Sequence, residues 1–193
     1  MMVILDNGHG FNTAGKCSPV WADQSQLFEW EFNRDVVRRI YNKLEAAGIS
    51  CTILVREARD ISLKTRIERA NAIYKAYPRS FLVSIHGNAG GGSGWEVYTS
   101  PGETESDKIA THIYQLAKIY LPDYRLRHDD SDGDPDKEND FAILTKTLCP
   151  AVLTENLFYD NEKECRFMMS DFGREAIAKL HLHGIKSYLN TRK

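Results

Sequence analysis

The sequence predicts an α/β fold: an open, mostly parallel twisted sheet of about six strands with helices on both faces. Short apolar runs of strand length alternate with segments whose apolar residues recur at helical spacing, as in parallel sheets with crossover helices. The 193 residues are enough for one core and too few for two well-built ones. With 42% hydrophobic and 27% charged residues, the composition excludes a disordered or collagen-like chain.

The first predicted strand, residues 3–5, is a short apolar run that leads into a long polar loop. Apolar residues then recur every three or four positions between residues 27 and 44, and Gly48 follows where a helix C-cap is expected. Residues 51–55 are short and rich in β-branched side chains, which predicts the second strand. These segments predict a strand, a helix and a second strand in succession.

A second helix is predicted after Ser62, and Pro78 closes its apolar pattern. Residues 81–85 are almost entirely apolar, as expected for a strand that is buried on both faces. A glycine-rich stretch leads to residues 95–98, whose alternating pattern predicts a strand nearer the edge of the sheet. This part of the chain therefore supplies one central and one peripheral strand.

Apolar residues at helical spacing between positions 109 and 120 predict the third helix. After an acidic loop at residues 129–140, apolar runs at 141–144 and 151–154 predict two further strands. The C-terminal segment is predicted to be helical to its end. Its two candidate N-caps are Asn161 and Ser170.

The charge pattern limits the partners. Lys and Arg number 25 against 27 Asp and Glu, so the net charge is -2 and gives no basic surplus for binding nucleic acid or an anionic membrane. No stretch reaches the roughly 18 apolar residues of a transmembrane helix, and the first residues lack the basic flank of a signal peptide. We expect a monomer made in the cytoplasm, with residues 1–193 forming a single domain.

Three residues that follow predicted strands could carry chemistry: His9, His86 and Glu155. In open α/β sheets, ligands bind at the carboxyl ends of the strands, so these side chains are expected at the same end of the sheet. Two imidazoles and a carboxylate are typical of a catalytic zinc site. They are also typical of hydrogen-bonded structural residues, and their spacing alone leaves both interpretations open.

Six ordered motifs extend this observation along nearly the whole chain. They are Ile4-Leu5-Asp6-Asn7-Gly8-His9-Gly10, Glu29-x-x-x-Asn33, Leu54-Val55-Arg56 followed by Leu63-x-x-Arg66, Ser84-Ile85-His86-Gly87-Asn88-Ala89, Gly94-Trp95-Glu96-Val97-Tyr98, and Pro150-Ala151-Val152-Leu153-Thr154-Glu155. With these motifs the sequence resembles the zinc-dependent N-acetylmuramoyl-L-alanine amidases of the Amidase_3 type, which cleave peptidoglycan.

The resemblance implies that His9, Glu29 and His86 hold one zinc ion (Zn²⁺) and that Glu155 is the catalytic carboxylate. Glu29 is selected over Glu31 by its place in the family pattern Glu-x-x-x-Asn, and a helix separates the two glutamates by about 200° around its axis. The implied reaction is hydrolysis of the amide between the lactyl group of N-acetylmuramic acid and L-alanine. In it, Glu155 moves a proton from water to the departing amide nitrogen.

Further expectations concern the substrate, a glycan strand with its stem peptide. Asn88 and Asn156, beside a predicted ligand and the predicted base, are expected to donate hydrogen bonds to it, and Glu138 is expected to border its groove. We expect an endolysin-like bacterial enzyme without a separate wall-binding domain, which reaches the cell wall after release or export. Arg56 and Arg66 are expected to make structural ion pairs.

Two other functions stay open from the sequence. One is a zinc peptidase or deacylase that acts on another amide, and the other is a non-catalytic peptidoglycan-binding module. Retention of Glu155 together with the three predicted ligands argues against the module, because a binding protein has no use for a carboxylate that moves protons.

The acidic loop contains a pattern that resembles part of a calcium-binding loop. Asp130, Asp132 and Asp134 alternate as in an EF-hand, but Pro135 stands where that motif requires glycine. We therefore expect a solvated acidic loop without a defined ligand.

Overall fold

The computed structural model describes residues 1–131 and 133–192. Asp132 of the predicted acidic loop lies outside the described residues. The strands are β1 (Val3–Asn7), β2 (Cys51–Ile53), β3 (Phe81–Asn88), β4 (Trp95–Thr99), β5 (Lys137–Glu138) and β6 (Ala151–Phe158). The helices are α1 (Glu29–Ala46), α2 (Leu63–Ala76), α3 (Glu105–Tyr120), α4 (Ala142–Thr145), α5 (Glu162–Met169) and α6 (Asp171–Asn190).

All six strands form one sheet in the order β2-β1-β3-β6-β4-β5. β1 pairs in parallel with β2 and β3, and β3 pairs in parallel with β6. β4 runs antiparallel to β6, and β5 runs parallel to β4. The predicted fold class, an open and mostly parallel α/β sheet, is confirmed.

Local capping signals place three helix starts. Ser62 accepts a hydrogen bond from the Thr65 backbone N–H at the start of α2. Asn161 and Ser170 accept similar bonds at the starts of α5 and α6. The predicted caps are therefore confirmed, since each satisfies a backbone donor that the helix itself leaves unpaired.

The prediction of a strand at residues 141–144 is wrong. The structure forms the short helix α4 there, and the sheet receives its last strand from Lys137–Glu138. This charged pair is a strand because it hydrogen-bonds to the free edge of β4, which no local apolar pattern indicates. The apolar run that follows packs as a helical turn against the sheet, with Ile143 and Leu144 buried.

Successive residues of each strand point to opposite faces of the sheet, and each face has its own apolar cluster. Helices α1, α3, α5 and α6 cover one face, where they pack on strand residues such as Val3, Val83 and Val152. Helices α2 and α4 cover part of the other face, over Ile4 and Leu82. In the part of the chain that the structure describes, none of the helices has both the length and the apolar character needed to cross a bilayer.

Candidate metal centre and active site

His9 follows β1 in a left-handed backbone conformation, with φ of 61°. Such a conformation costs a residue other than glycine about 1–3 kcal/mol and persists only where neighbours hold it. Two arginines hold the His9 carbonyl oxygen: Arg34 Nη1 donates to it at 2.8 Å and Arg66 Nη2 at 3.3 Å. With its backbone fixed in this way, His9 lines the cleft at the carboxyl end of β1.

Glu29, the first residue of α1, has no exposed surface. Its Oε1 atom accepts hydrogen bonds from the Gly87 backbone N–H at 3.2 Å and from Asn33 Nδ2 at 3.4 Å. Asn33 Nδ2 also donates to the Gly8 carbonyl at 3.1 Å, which ties the first turn of α1 to the end of β1. Asn33 therefore orients Glu29 and gives a physical reason for the Glu-x-x-x-Asn pattern.

His86 lies near the end of β3, and its Nδ1 atom is 3.1 Å from Glu29 Oε1. His9 Nε2 is 3.4 Å from the same oxygen, and the two imidazole rings meet edge to face with centroids 5.0 Å apart. Gly8 is required for this arrangement, because a Cβ atom at that position would lie 2.1 Å from the His86 ring. The structure thus brings the three predicted ligands together.

These three residues fit a metal ion. One ligand atom from each lies within 4.8 Å of the others. Ligands about 2.0–2.1 Å from a tetrahedral zinc ion lie roughly 3.3 Å apart, close to the two distances measured to Glu29 Oε1. Glu29 Oε2 is buried without a hydrogen-bond partner among the described residues, and Lys16 Nζ is 3.9 Å from it. A buried, incompletely paired carboxylate beside two imidazoles is a suitable donor set for zinc.

The protonation states of the ligands suit the same role. Burial lowers the pKa of His9 to about 4, so this imidazole is neutral at pH 7. Burial raises the pKa of Glu29, but the hydrogen bond and charge of His86 outweigh burial and hold it below its ordinary value. Burial lowers the pKa of His86, yet its contact with Glu29 gives a net increase. A metal ion requires the neutral imidazole of His86, so metal binding competes with its protonation.

Glu155 lies in β6 directly beside His86 in the parallel ladder. The β3–β6 register shifts after this pair, and Leu157 has φ of 72°, an irregularity typical of strands at active sites. Burial raises the pKa of Glu155 to about 7, and the nearby charges of Glu29 and Glu96 contribute. Its Oε2 atom is buried and makes no hydrogen bond to the described residues. Such a carboxylate can both take up and release a proton near neutral pH.

The side chains of His9, His86 and Glu155 line one cleft of about 480 Å³. Phe141 and Ile143, at the start of α4, form an apolar wall of this cleft. The remaining lining residues are Asp6, Gly8, Thr13, Lys16, Asp60, Ile61, Ser62, Leu63, Arg66, Ala142 and Leu153. The cleft therefore places an apolar surface opposite a group of polar and titratable side chains, as substrate sites commonly do.

The similarity of this chain to known proteins covers almost its full length. Residues 3–187 match the Amidase_3 family model, described as N-acetylmuramoyl-L-alanine amidase. The chain belongs to this family. It is therefore an amide hydrolase, and its predicted membership is confirmed.

Individual relatives agree with the family assignment. The endolysin of Bacillus phage SPP1 is 32% identical over 100% of this chain and 67% of its own length. The N-acetylmuramoyl-L-alanine amidase CwlM of Bacillus licheniformis is 28% identical over 99% of this chain and 70% of its own length. The crystal structure of an N-acetylmuramoyl-L-alanine amidase from Clostridium difficile 630 superposes with a TM-score of 0.82, at 25% identity, over 100% of this chain and 98% of that one.

One of the three predicted substrate contacts of the amidase needs correction. Asn156 has no exposed surface. Its Nδ2 donates to the His86 carbonyl at 3.0 Å and its Oδ1 accepts from Trp95 Nε1 at 2.8 Å, so it supports the strand that carries His86. Glu138 pairs with Thr99, three residues along β4 from Glu96 and hence about 10 Å from the level of Glu155, and its place at the border of the substrate groove stays a prediction.

Asn88 is partly exposed, and its Nδ2 donates to Glu96 Oε1 at 2.6 Å. Glu96 also accepts hydrogen bonds from Arg127 Nε at 2.8 Å and Lys137 Nζ at 2.9 Å. It lies directly across the antiparallel β4–β6 pair from Glu155. The sequence predicted no role for Glu96, although it lies in one of the six motifs. A carboxylate between the apolar residues of a strand is itself a signal that it is paired.

Arg66 supports the floor of the cleft, and the structural role expected of it agrees with its contacts. It is buried and donates to Asp6 Oδ1 at 2.6 Å and to the Asn7 carbonyl at 2.8 Å. Asp6 Oδ2 in turn accepts from Ser84 Oγ at 2.7 Å. This network joins α2 to β1 and β3 beneath His9. Arg56, by contrast, is exposed.

Proposed function

We propose that this amidase is a zinc enzyme that hydrolyses the amide bond between the lactyl group of N-acetylmuramic acid and L-alanine in bacterial peptidoglycan. The observation that carries the proposal is the position of Glu155 beside His86, in the cleft that His86 and His9 of the three-residue donor set also line. The family match supports the choice of substrate. The geometry supports the choice of chemistry.

His9, Glu29 and His86 would hold the zinc ion. When bound, zinc lowers the pKa of water toward about 7 and polarises a carbonyl group. Asn33 and the Gly87 backbone N–H keep the Glu29 carboxylate in place, and the two arginines on the His9 carbonyl do the same for His9. Such supporting hydrogen bonds orient metal ligands and raise metal affinity.

Glu155 would act as the general base and then as the general acid. Its carboxylate takes the proton of the attacking water at Oε2, the buried atom that no described residue pairs with. It then delivers that proton to the amide nitrogen, because an amine leaves poorly unless it is protonated. A pKa of about 7 suits both steps, since the group can be ionised before attack and protonated afterwards.

Digestion of purified cell wall tests the bond and the metal together. We expect zinc-loaded enzyme to release new L-alanine amino termini, a chelator to abolish the release, and added zinc to restore it. New reducing sugar ends, or amino termini of another residue, would contradict the proposed bond. Release that continues after the protein has been shown to be metal-free would contradict the zinc mechanism.

A pair of matched variants connects the metal to its proposed site. His86→Ala should lose the bound zinc measured by metal analysis, whereas His128→Ala should keep it. His128 is an exposed histidine beside Asp130, outside the cleft. Equal zinc content in the two variants would show that His86 is not a ligand.

A further inference from the structure

A second group of carboxylates lies at the other end of β4. Asp107, in the first turn of α3, and Asp134 and Asp136, just before β5, each offer an oxygen within 4.8 Å of the other two. Asp136 is joined to the last residue of β4 through a hydrogen bond from Thr99 Oγ1 to Asp136 Oδ2, 2.5 Å long. This acidic cluster is therefore separate from the zinc site and lies beside the edge of the sheet.

Two of the three carboxylates are buried and only half satisfied. Asp136 is 2% exposed and Asp107 is 9% exposed. The Oδ1 atom of each is buried and has no hydrogen-bond partner within residues 1–131 and 133–192. Because a buried polar oxygen without a partner is destabilising, each of these atoms needs a partner from outside the described residues.

Helix capping accounts for only part of this arrangement. Thr104 and Asp107 form a capping box at the start of α3, in which Asp107 Oδ2 accepts from the Thr104 backbone N–H. This bond satisfies Oδ2 and leaves Oδ1 unpaired. Capping also gives no reason for two additional carboxylates to lie against Asp107.

The described residues supply no counter-charge to the acidic cluster. None of its three carboxylates forms an ion pair with a Lys, Arg or His among the described residues. The neighbouring Lys137 pairs with Glu96 instead. Burial, then a hydrogen bond between the carboxyl groups of Asp136 and Asp134, and then the charges of Asp134 and Asp107 raise the pKa of Asp136 to about 8. Without a cation, the cluster must therefore hold a proton or keep like charges close together, and both are unfavourable.

We propose that Asp107, Asp134 and Asp136 form a structural site for a divalent cation, and that this cation is Ca²⁺. The donors are all oxygen atoms, which hard cations prefer, whereas zinc prefers nitrogen and sulfur ligands. Three carboxylates leave room in a calcium coordination sphere for water or carbonyl oxygens. The ion would hold the turn before β5 against the start of α3. Through Lys137, it would also stabilise the contact with Glu96 next to the active site.

Titration of the zinc-loaded protein with calcium chloride tests this site. We expect calorimetry to show about one calcium per chain with a Kd of roughly 0.1–1 mM, as in extracellular calcium modules. At ten times Kd, the melting temperature should rise by about 3–6 °C. Sodium chloride at the same ionic strength is the control for screening of the acidic surface. No calcium heat, or an equal shift with sodium chloride, would overturn the proposal.

Single substitutions assign the ion to this cluster. Asp136→Asn should abolish both the calcium heat and the calcium-dependent shift in melting temperature. In calcium-free buffer it should be at least as stable as the parent, because asparagine needs neither a proton nor a counter-charge beside Asp107 and Asp134. A purely structural aspartate would lose stability in both buffers. Asp140→Asn, an exposed site with the same charge change, should keep the full response to calcium.

Asp134→Asn is the second variant if Asp136→Asn does not fold. Asp134 is only partly buried, and an asparagine can still accept the hydrogen bond that its Oδ1 receives from the Asp136 backbone N–H. We expect at least a tenfold weaker affinity for calcium. Parental affinity in this variant would overturn the site.

Discussion

The two faces of the sheet differ in what covers them. On one face, four helices bury an apolar cluster that contains Val3, Val83, Val97 and Val152 from the strands. On the opposite face, α2 and α4 pack on the strands, and the apolar cluster is smaller. The strand residues on this second face include the charged or titratable side chains Asp6, His86, Glu96 and Glu155.

This difference shows how one sheet can serve both stability and chemistry. Because side chains alternate along a strand, residues such as Val83 and Ile85 fill the first face while Ser84 and His86 between them face the second. The first face follows the ordinary packing of a protein core. The second face contains polar side chains that pair with one another, whereas the Oε2 atom of the reacting group Glu155 is buried without a partner among the described residues.

The largest expected effect comes from the unpaired carboxylate on the second face. Glu155→Gln should reduce wall hydrolysis by about 10²–10⁴-fold, because glutamine cannot transfer the proton. Zinc content should stay at one ion per chain, and the melting temperature should not fall, since Glu155 Oε2 has no hydrogen bond to lose among the described residues. Kinetics on purified wall, metal analysis and thermal unfolding measure the three quantities.

Glu138→Gln is the matched control for that substitution. The structure places Glu138 at the far end of β4, so this variant should keep parental activity. Full activity in Glu155→Gln would remove Glu155 from the mechanism, and a large loss in Glu138→Gln would show that Glu138 contacts the substrate.

The next largest effect concerns the paired charges on the second face. Arg66→Met leaves the carboxylate of Asp6 buried without its cation, which should destabilise the protein by about 3–5 kcal/mol. For a chain of this length, the melting temperature should fall by roughly 6–20 °C.

Arg69→Met, on the same helix, is the control for Arg66→Met. It removes the same charge from an exposed ion pair and so shows how much of the stability loss depends on burial. Arg69 pairs with Glu57, and both side chains are about one third exposed. Exposed pairs of this kind contribute about 0–1 kcal/mol, so Arg69→Met should unfold close to the parent. If the two variants lose the same stability, the second face does not depend on its buried network.

The smallest effect concerns His181, a fully buried histidine on the apolar face. The Nε2 atom of His181, in α6, lies within hydrogen-bonding distance of Thr154 Oγ1, at 2.9 Å. Burial lowers the pKa of the His181 imidazole to about 4. An unfolded histidine binds a proton below about pH 6.5. The folded protein is therefore at full stability above pH 6.5 and loses stability as the pH falls toward 4.

At pH 5 the protonation of His181 in the unfolded chain lowers the free energy of unfolding by about 2 kcal/mol. His181→Gln removes it, so the stability of the variant should fall less than that of the parent between pH 7.5 and pH 5. Denaturant unfolding of both proteins at each pH measures the difference. Because both proteins contain His9 and His86, the titration of these two residues cancels in the comparison. Equal pH dependence would show that His181 is not buried in its neutral form.

Local signals predicted much of the fold. Helix starts at Ser62, Asn161 and Ser170 were predictable because a cap residue and its backbone partner lie within three positions. The helix α4 was not, because an isolated apolar run of four residues suits a strand and a helix equally. Lys137–Glu138 became a strand only through its pairing with β4, which is a tertiary contact.

The site divides in the same way. His9, His86 and Glu155 could be predicted to converge because strand ends meet at one end of a parallel sheet. Glu29 could be predicted only from the family pattern, because no helix or strand between His9 and Glu29 fixes the distance between them. The acidic cluster could not be predicted at all. Its members Asp107 and Asp136 are far apart in sequence, and they meet only because α3 and β5 both adjoin the end of β4.

The strand lengths have a consequence for self-association. The two edge strands, β2 with three residues and β5 with two, are the shortest in the sheet, while the central strands β3 and β6 have eight each. An edge offers its unpaired backbone groups to any other chain that can extend the sheet, and short edges offer few. The amidase therefore keeps its long, apolar strands away from neighbouring copies, which protects it from aggregating through its sheet at high local concentration.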